Sequence, residues 1–256
     1  MNSGQAISRP PGILKLLGNE LRWQLLRALA DTDLRVQELV QRLDRPQNLI
    51  SYHLKKLAEL DLVREHHSQA DGREVYYSLD LDQVRALYFS SGEALHPALG
   101  QSSEPATQNG GLPPARVLFL CTNNSARSQM AEALLREKSQ DQVEVFSAGT
   151  EPSEINPLAI RALAEMRVNV LGQRSKHLQE YIGEDFDYII TVCDRAREAC
   201  PVFPGDPVQI HWSFPDPAAV EGPEEMRYRA FRQTALQLNN RIGYLLLMIR
   251  RNQDGL

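Results

Sequence analysis

Apolar residues Ile13, Leu16, Leu17, Leu21, Leu25, Leu26 and Leu29 recur at helical spacing, with an interruption expected near Gly18. A short helix is predicted over Val36–Leu43. Pro46 and Gln47 introduce another over 48–60, whose core positions are Leu49 or Ile50, Leu54 and Leu57. Val63–His67 and Val75–Leu79 read as two strands joined by a turn at Asp71 and Gly72, and a last helix starts over 82–90. Beyond a stretch short of apolar anchors (SSEPATQNGGLPPA) the rhythm changes. Buried strands are predicted at 116–120, 143–147 and 188–192, helices at 128–138 and 157–166, and a long amphipathic helix closes the chain over 223–250. Such alternation favours a parallel sheet covered by helices.

The pattern divides the 256 residues into an N-terminal domain (1–100), a linker (101–114) and a C-terminal domain (115–256). The expected fold class is an α+β winged helix-turn-helix followed by an α/β domain with a central parallel sheet. The formal net charge of -5 leaves no globally basic surface, so binding to nucleic acid requires local segregation of charge. The apolar runs at 117–120 and 244–249 are too short for a membrane span, and no signal peptide is visible. A cytoplasmic location is expected, where Cys121, Cys193 and Cys200 stay reduced at rest.

In the N-terminal domain, the order of helices and hairpin places the helix over 48–60 in a DNA major groove and the hairpin tip beside it. Gln47, Asn48 and Ser51 are candidates for base edges, Tyr52, Lys55, Lys56 and Arg73 for phosphates, and His53 for either. The alternative is an accessory helical domain whose polar face is merely solvated. QNLISYHLKKLAELDLVRE and DGREVYYSL resemble the recognition helix and wing of the arsenic-type (ArsR-like) repressor family over about residues 12–95. The resemblance implies a homodimer on palindromic operator DNA, with the helices near 13–29 and 82–95 at the two-fold interface. It fails where metal-sensing members carry their ligands: LRVQELVQRL has none, and the domain holds no cysteine. His66, His67 and His96 could in principle hold a metal, though hydrogen-bonded or exposed histidines are the expectation, and no metal site is assigned.

In the C-terminal domain, Cys121 to Arg127 form a Cys-x5-Arg loop between a buried strand and a helix starting at Ser128. The backbone N–H groups of Thr122, Asn123, Asn124, Ser125 and Ala126 in such a turn make an anion nest, reinforced by the following helix. Arg127 offers a fork for two oxygens of a tetrahedral anion, Ser128 a hydrogen bond to the sulfur, and Asn124 a brace. This field is expected to lower the Cys121 pKa and create a thiolate nucleophile. Asp216, fixed between Pro215 and Pro217, is the candidate general acid, against the plainer reading of a turn aspartate.

CTNNSARSQMAEA, FSAGT, VCDRAREACP and WSFPDP resemble the low-molecular-weight protein-tyrosine phosphatase superfamily over about 115–249, more closely its thioredoxin-coupled arsenate reductases. The resemblance implies Cys121 as nucleophile, Arg127 as oxyanion binder, Asp216 as acid and Cys193 with Cys200 as a redox pair. It also implies arsenate as substrate and thioredoxin or a similar thiol as electron donor, with no tightly bound cofactor. Departures are Asn123 where Gly is common, Ala126 where Cys often stands, and Pro215 where reductases commonly have Asp.

Cys193 follows a buried strand and so can share the rim that carries Cys121. A helix from 193 to 200 would hold those two Cα atoms roughly 10 Å apart, beyond the ~7 Å of a disulfide. The segment 194–199 must therefore unwind or be looped for a cycle through a Cys193–Cys200 disulfide to finish. Two other readings stay open. One is a phosphatase, with Trp212 and Phe214 as aromatic residues at the pocket mouth. The other is a repressor whose non-catalytic C-terminal domain senses oxyanion or redox state.

Overall fold

The computed structural model describes residues 10–96, 99 and 111–253. Most of the linker expected over 101–114 lies outside the described residues; 111–114 are irregular. The chain splits into two compact units, the first including residues 10–66, 75–96 and 99 and the second including residues 67–74 and 111–253.

The first unit opens with α1 (Gly12–Leu17) and α2 (Glu20–Leu29). The break between them falls where glycine was expected to interrupt the pattern, and the Asn19 side chain caps α2 by accepting from Arg22 N at 3.1 Å. A two-residue strand β1 (Leu34–Arg35) leads into α3 (Val36–Leu43). Asp44 ends α3 in the left-handed conformation, and Pro46 precedes α4 (Gln47–Ala58). Then follow β2 (Val63–His67), β3 (Val75–Leu79) and α5 (Leu81–Leu95), capped by Asp80. The sheet order is β1-β3-β2. At two residues, β1 is too short to show any periodicity. Of the two core candidates on α4, Ile50 is fully buried beside Leu54 and Leu57, whereas Leu49 is exposed.

The second unit is built on a parallel sheet of order β5-β4-β6-β7. Its strands are β4 (Arg116–Cys121), β5 (Glu144–Gly149), β6 (Tyr188–Thr191) and β7 (Val208–His211). From Val117 to Cys121 every residue of β4 is buried, which is why its sequence runs apolar without alternation. Helices α6 (Arg127–Ser139), α7 (Pro157–Glu165) and the 30-residue α9 (Glu224–Gln253) pack together, and the short α8 (Asp194–Glu198) lies against β4 and β6. Among the described strands and α-helices of this unit, β7 and α8 were not predicted; they are four and five residues long.

Pairing in register sets Cys121 opposite Gly149 and Leu120 opposite Thr191. The carboxyl ends of β4, β5 and β6 thus share one rim. Among the described residues no helix is long and apolar enough to cross a membrane. Nor does any group of three or more His, Cys, Asp or Glu side chains gather there for a metal ion, His66, His67 and His96 included.

Candidate active site

The loop after β4 is shaped by where its carbonyl groups go. Thr122 O accepts from Glu151 N, Asn123 O from Ser153 N and Ser125 O from Asn156 N, at 2.8–2.9 Å. Asn124 O accepts from the Ser175 hydroxyl at 2.5 Å. Four consecutive carbonyls are thereby taken up by neighbouring segments, which leaves the loop's N–H groups for an anion. Asn124 N donates to Cys121 Sγ at 3.1 Å.

Asn124 is the one loop residue with positive φ, at 44°, a conformation asparagine tolerates better than most residues. Asn123 has no positive φ and carries no such strain. The side chain of Asn124 holds the turn. Its Nδ2 donates to Ser128 Oγ (2.9 Å) and Ser147 Oγ (2.8 Å), and its Oδ1 accepts from Gln129 Nε2 (2.9 Å) and Lys176 N (2.7 Å). Ser128 Oγ in turn lies 2.8 Å from Cys121 Sγ. Gly149 permits this closeness: a Cβ there would sit 2.4 Å from Thr122 O and 2.8 Å from Asn124 N.

Arg127 opens α6 with its guanidinium 7% exposed. It donates to Phe214 O at 2.8 Å and lies 3.3 Å from Asp216 Oδ2. Asp216 is half-buried, and its other oxygen accepts from Ala218 N at 3.2 Å. One Asp216 oxygen thus stabilises its own loop while the other faces Arg127.

Cys193 is buried at the end of β6, 3.5 Å from Thr122 Oγ1, and its sulfur caps α8 by accepting from Ala196 N at 3.4 Å. Cys200 is half-buried just beyond α8, and all three thiols are free. The segment between Cys193 and Cys200 is wound as α8, which would have to unwind for the two sulfurs to pair. Asp194, the first residue of α8, is buried and accepts from Ser213 Oγ and His211 Nε2 (3.1 Å), while His211 Nδ1 meets Thr191 Oγ1 at 2.8 Å.

One electrostatic expectation is overturned. The Cys121 thiol is not pushed down but up: complete burial raises its pKa, the nearby Cys193 raises it further, and Ser128 and Arg127 only partly oppose them. Desolvation of a charged sulfur outweighs these donors. Burial likewise pushes Cys200 up. Trp212 and Phe214 do not stand at a pocket mouth. Both are buried, with Arg241 stacked over their rings at 5.9 and 5.5 Å.

On α4 of the first unit, Gln47, Asn48, Ser51, Tyr52 and Lys55 are exposed. Lys56 pairs with Glu59 at 2.8 Å, and the exposed Arg73 with Asp71 at 3.1 Å. His53 is only half-exposed and packs edge-on against Tyr52; burial, then Arg22, lowers its pKa. It is less available to DNA than its neighbours on the helix.

Sequence reasoning passed over Gln129, Glu132, Ser147, Gly149 and Lys176. Ser147 and Gly149 stood in view within FSAGT, and Gln129 and Glu132 within CTNNSARSQMAEA, but their part depends on contacts between distant segments; Lys176 carries no local signal.

Comparison with known proteins agrees with this division. Residues 18–74 match the MarR family model, where the sequence had suggested the arsenic-type repressors; both are winged-helix regulators. The arsenate reductase of Halalkalibacterium halodurans is 36% identical over 126 residues, covering 49% of this chain and 91% of the relative. That of Bacillus anthracis is 41% identical over 113 residues, covering 44% and 84%. A solved arsenate reductase in a phosphate-binding state is 27% identical, covers 53% of this chain and 98% of its own, and superposes with a TM-score of 0.43. The chain thus joins a winged-helix regulator to an α/β enzyme domain homologous to arsenate reductases. Residues 116–254 match the model described as low molecular weight phosphotyrosine protein phosphatase, and with more than half its length in that match the chain belongs to this family.

Proposed function

We propose that the C-terminal unit reduces arsenate to arsenite with a thioredoxin-like thiol as electron donor, and that the winged-helix unit, of arsenic-type repressor character, binds operator DNA as a homodimer. The observation that carries the enzymatic reading is the meeting of three groups at one rim. The Cys121 sulfur lies beside Ser128 and Asn124, the Arg127 fork faces Asp216, and Cys193 stands next to the loop.

Arsenate enters the loop as a tetrahedral anion held by main-chain N–H groups and Arg127. Cys121 attacks arsenic, forming an S–As bond as one As–O bond breaks. The thiol proton and an arsenate hydroxyl leave together as water, with Asp216 relaying the proton to the departing oxygen. A thiol that stays protonated until substrate arrives, as burial of Cys121 favours, supplies that proton itself. Cys193 then attacks the Cys121 sulfur. The S–As electron pair remains on arsenic, which falls from the +5 to the +3 state and departs as arsenite, taking up the Cys193 proton, while the two sulfurs become a disulfide.

Cys200 exchanges onto Cys193, which requires α8 to unwind, and the external dithiol reduces the new disulfide. A phosphatase would need water, and not Cys193, at the second step. The regulatory half is proposed to respond to the state of this pocket, since its own domain has no cysteine for arsenite.

The test is arsenate turnover with thioredoxin and thioredoxin reductase in the wild type, Cys193→Ser and Cys200→Ser. Thiol-dependent turnover lost in both variants supports reduction. Hydrolysis of p-nitrophenyl phosphate that persists in both, with no arsenate turnover in any protein, overturns it in favour of a phosphatase. For the regulator, Lys55→Ala should weaken DNA binding uniformly across sequences and lower the salt slope by about two, one phosphate contact from each protomer of the dimer. Operator affinity unchanged by arsenate, arsenite and oxidant would rule out coupling.

A further inference from the structure

The second step of the proposed cycle needs the Cys193 sulfur aimed at Cys121, and local structure alone does not aim it. The sulfur lies 3.5 Å from Thr122 Oγ1 and accepts from Ala196 N at 3.4 Å, so its direction depends on the first turn of α8 being wound. A helix of five residues has too few internal hydrogen bonds to repay the cost of starting it. Its far end gives little support, since Glu198 and Ala199 are exposed and Pro201 follows. The hold on the first turn must come from outside the helix.

That hold is the Asp194 side chain. Asp194 is 3% exposed, and its Oδ1 accepts from Ser213 Oγ and from His211 Nε2, the latter at 3.1 Å. An ionised carboxylate only accepts, so His211 and Ser213 each place a hydrogen on it. The donors are themselves fixed. His211 ends β7 in parallel register with Thr191 of β6, and its Nδ1 lies 2.8 Å from Thr191 Oγ1, two residues before Cys193. Ser213 precedes Phe214, whose carbonyl accepts from Arg127, and stands in the loop that carries Asp216 to the same guanidinium. Burying a carboxylate is costly, and its donors chiefly offset that cost. The clasp therefore says more about position than about stability.

We propose that Asp194 is a positioning residue for Cys193. By tying the first residue of α8 to β7 and to the loop of Asp216, it keeps Ala196 N on the Cys193 sulfur and that sulfur at the rim of Cys121. The exposed end of α8 stays able to unwind for Cys200. In the step so served, the Cys193 and Cys121 sulfurs bond as the S–As bond breaks, its electron pair stays on arsenic, and arsenite takes up the Cys193 proton. Asp194 acts through Ala196 and takes no part in the bond changes. The acid loop keeps its own ties to Arg127, so loss of the clasp releases Cys193 while the anion pocket stays formed. The inference rests on Cys193 as the thiol that attacks Cys121, and adds what holds that thiol in place.

The experiment uses the full chain in a Cys200→Ser background, where Cys121 and Cys193 are the remaining thiols. The protein is equilibrated in glutathione redox buffers, in which two glutathione thiols are oxidised for each Cys121–Cys193 disulfide reduced, and the disulfide is read by mass spectrometry. Asp194→Ala should lower its equilibrium constant by about tenfold. Asp194→Asn keeps one acceptor and Ser213→Ala keeps the His211 donor, so each should lower it by about threefold. Phosphate affinity of the reduced proteins should stay within about twofold of the parent, whereas a merely structural role would lower both together. If Asp194→Ala does not fold, the two milder variants decide. Constants equal to the parent's in those two, or phosphate affinity falling in step with the constant, overturn the proposal. No disulfide in the parent at any buffer ratio sinks both the inference and the reductase reading. Arsenate turnover with thioredoxin, run on the same variants with Cys200 intact, separates the two. Absent turnover in every chain with the constants shifted as expected sinks the reductase reading alone, and unshifted constants with turnover present sink the inference alone.

Discussion

The guanidinium of Arg127 lies 3.3 Å from the carboxylate of Asp216, joining the start of α6 to a loop far along the chain. The pair gives the anion-binding fork and the candidate proton donor a common position. It also means that an arriving oxyanion must compete with Asp216 for Arg127. Asp216→Asn should therefore lower the rate of the first chemical step by roughly 10²–10⁴-fold while phosphate binding stays equal or tightens. Single-turnover kinetics and calorimetry with inorganic phosphate check the two halves. Equal losses in rate and affinity would show that Asp216 only shapes the loop.

Cys193 raises the Cys121 pKa, second to burial. Replacing it by serine removes an ionisable neighbour, so the alkylation midpoint of Cys121 should fall in Cys193→Ser, and at a fixed pH below the midpoint the reaction should speed up. The same variant should arrest arsenate reduction at the covalent Cys121 adduct, visible by mass spectrometry of the intact protein.

Gly149 leaves no room for a side chain, because a Cβ would press on Thr122 O at 2.4 Å. Gly149→Ala must displace the loop or β5, at a cost of roughly 1–3 kcal/mol in stability. The loss of phosphate affinity should exceed what the fraction unfolded explains. Urea unfolding and phosphate titration on the same sample separate the two effects.

Asp194 is held well below the usual carboxylate range. Burial works against this, but hydrogen bonds from His211 and Ser213 prevail. A depressed folded pKa stabilises the protein above the unfolded value of about 4, and that contribution drains away as pH falls below it. Urea midpoints of the wild type should consequently drop between neutrality and pH 3 more steeply than those of Asp194→Asn. The variant should be roughly 1–3 kcal/mol less stable at pH 7. Parallel slopes would mean that the contacts of Asp194 do not survive in solution.

Much of this architecture can be read along the chain, because hydrophobic periodicity and local stop signals are properties of neighbouring residues. The break at Gly18, the strands Val63–His67 and Val75–Leu79 and the helix Val36–Leu43 all follow from spacing within a few turns. So does the setting of Cys121 between a strand buried on both faces and a helix. Elements of two to five residues, β1, β7 and α8, are too short to express a period. The helix between the last two cysteines is not legible for that reason, and because the Asp194 clasp depends on residues of β7 and its following loop.

By itself, the order of residues determined which groups are available: one Cys-x5-Arg loop, two further thiols and an aspartate set between prolines. Tertiary structure decided how they act on one another. Parallel register brought Cys193 to the rim of Cys121, Gly149 let the loop close, and Glu132 and Lys176 met beneath it. It also reversed the expected ionisation of Cys121, since the energy of a buried charge is set by the solvent and dipoles that surround it in three dimensions, which no local pattern of residues records.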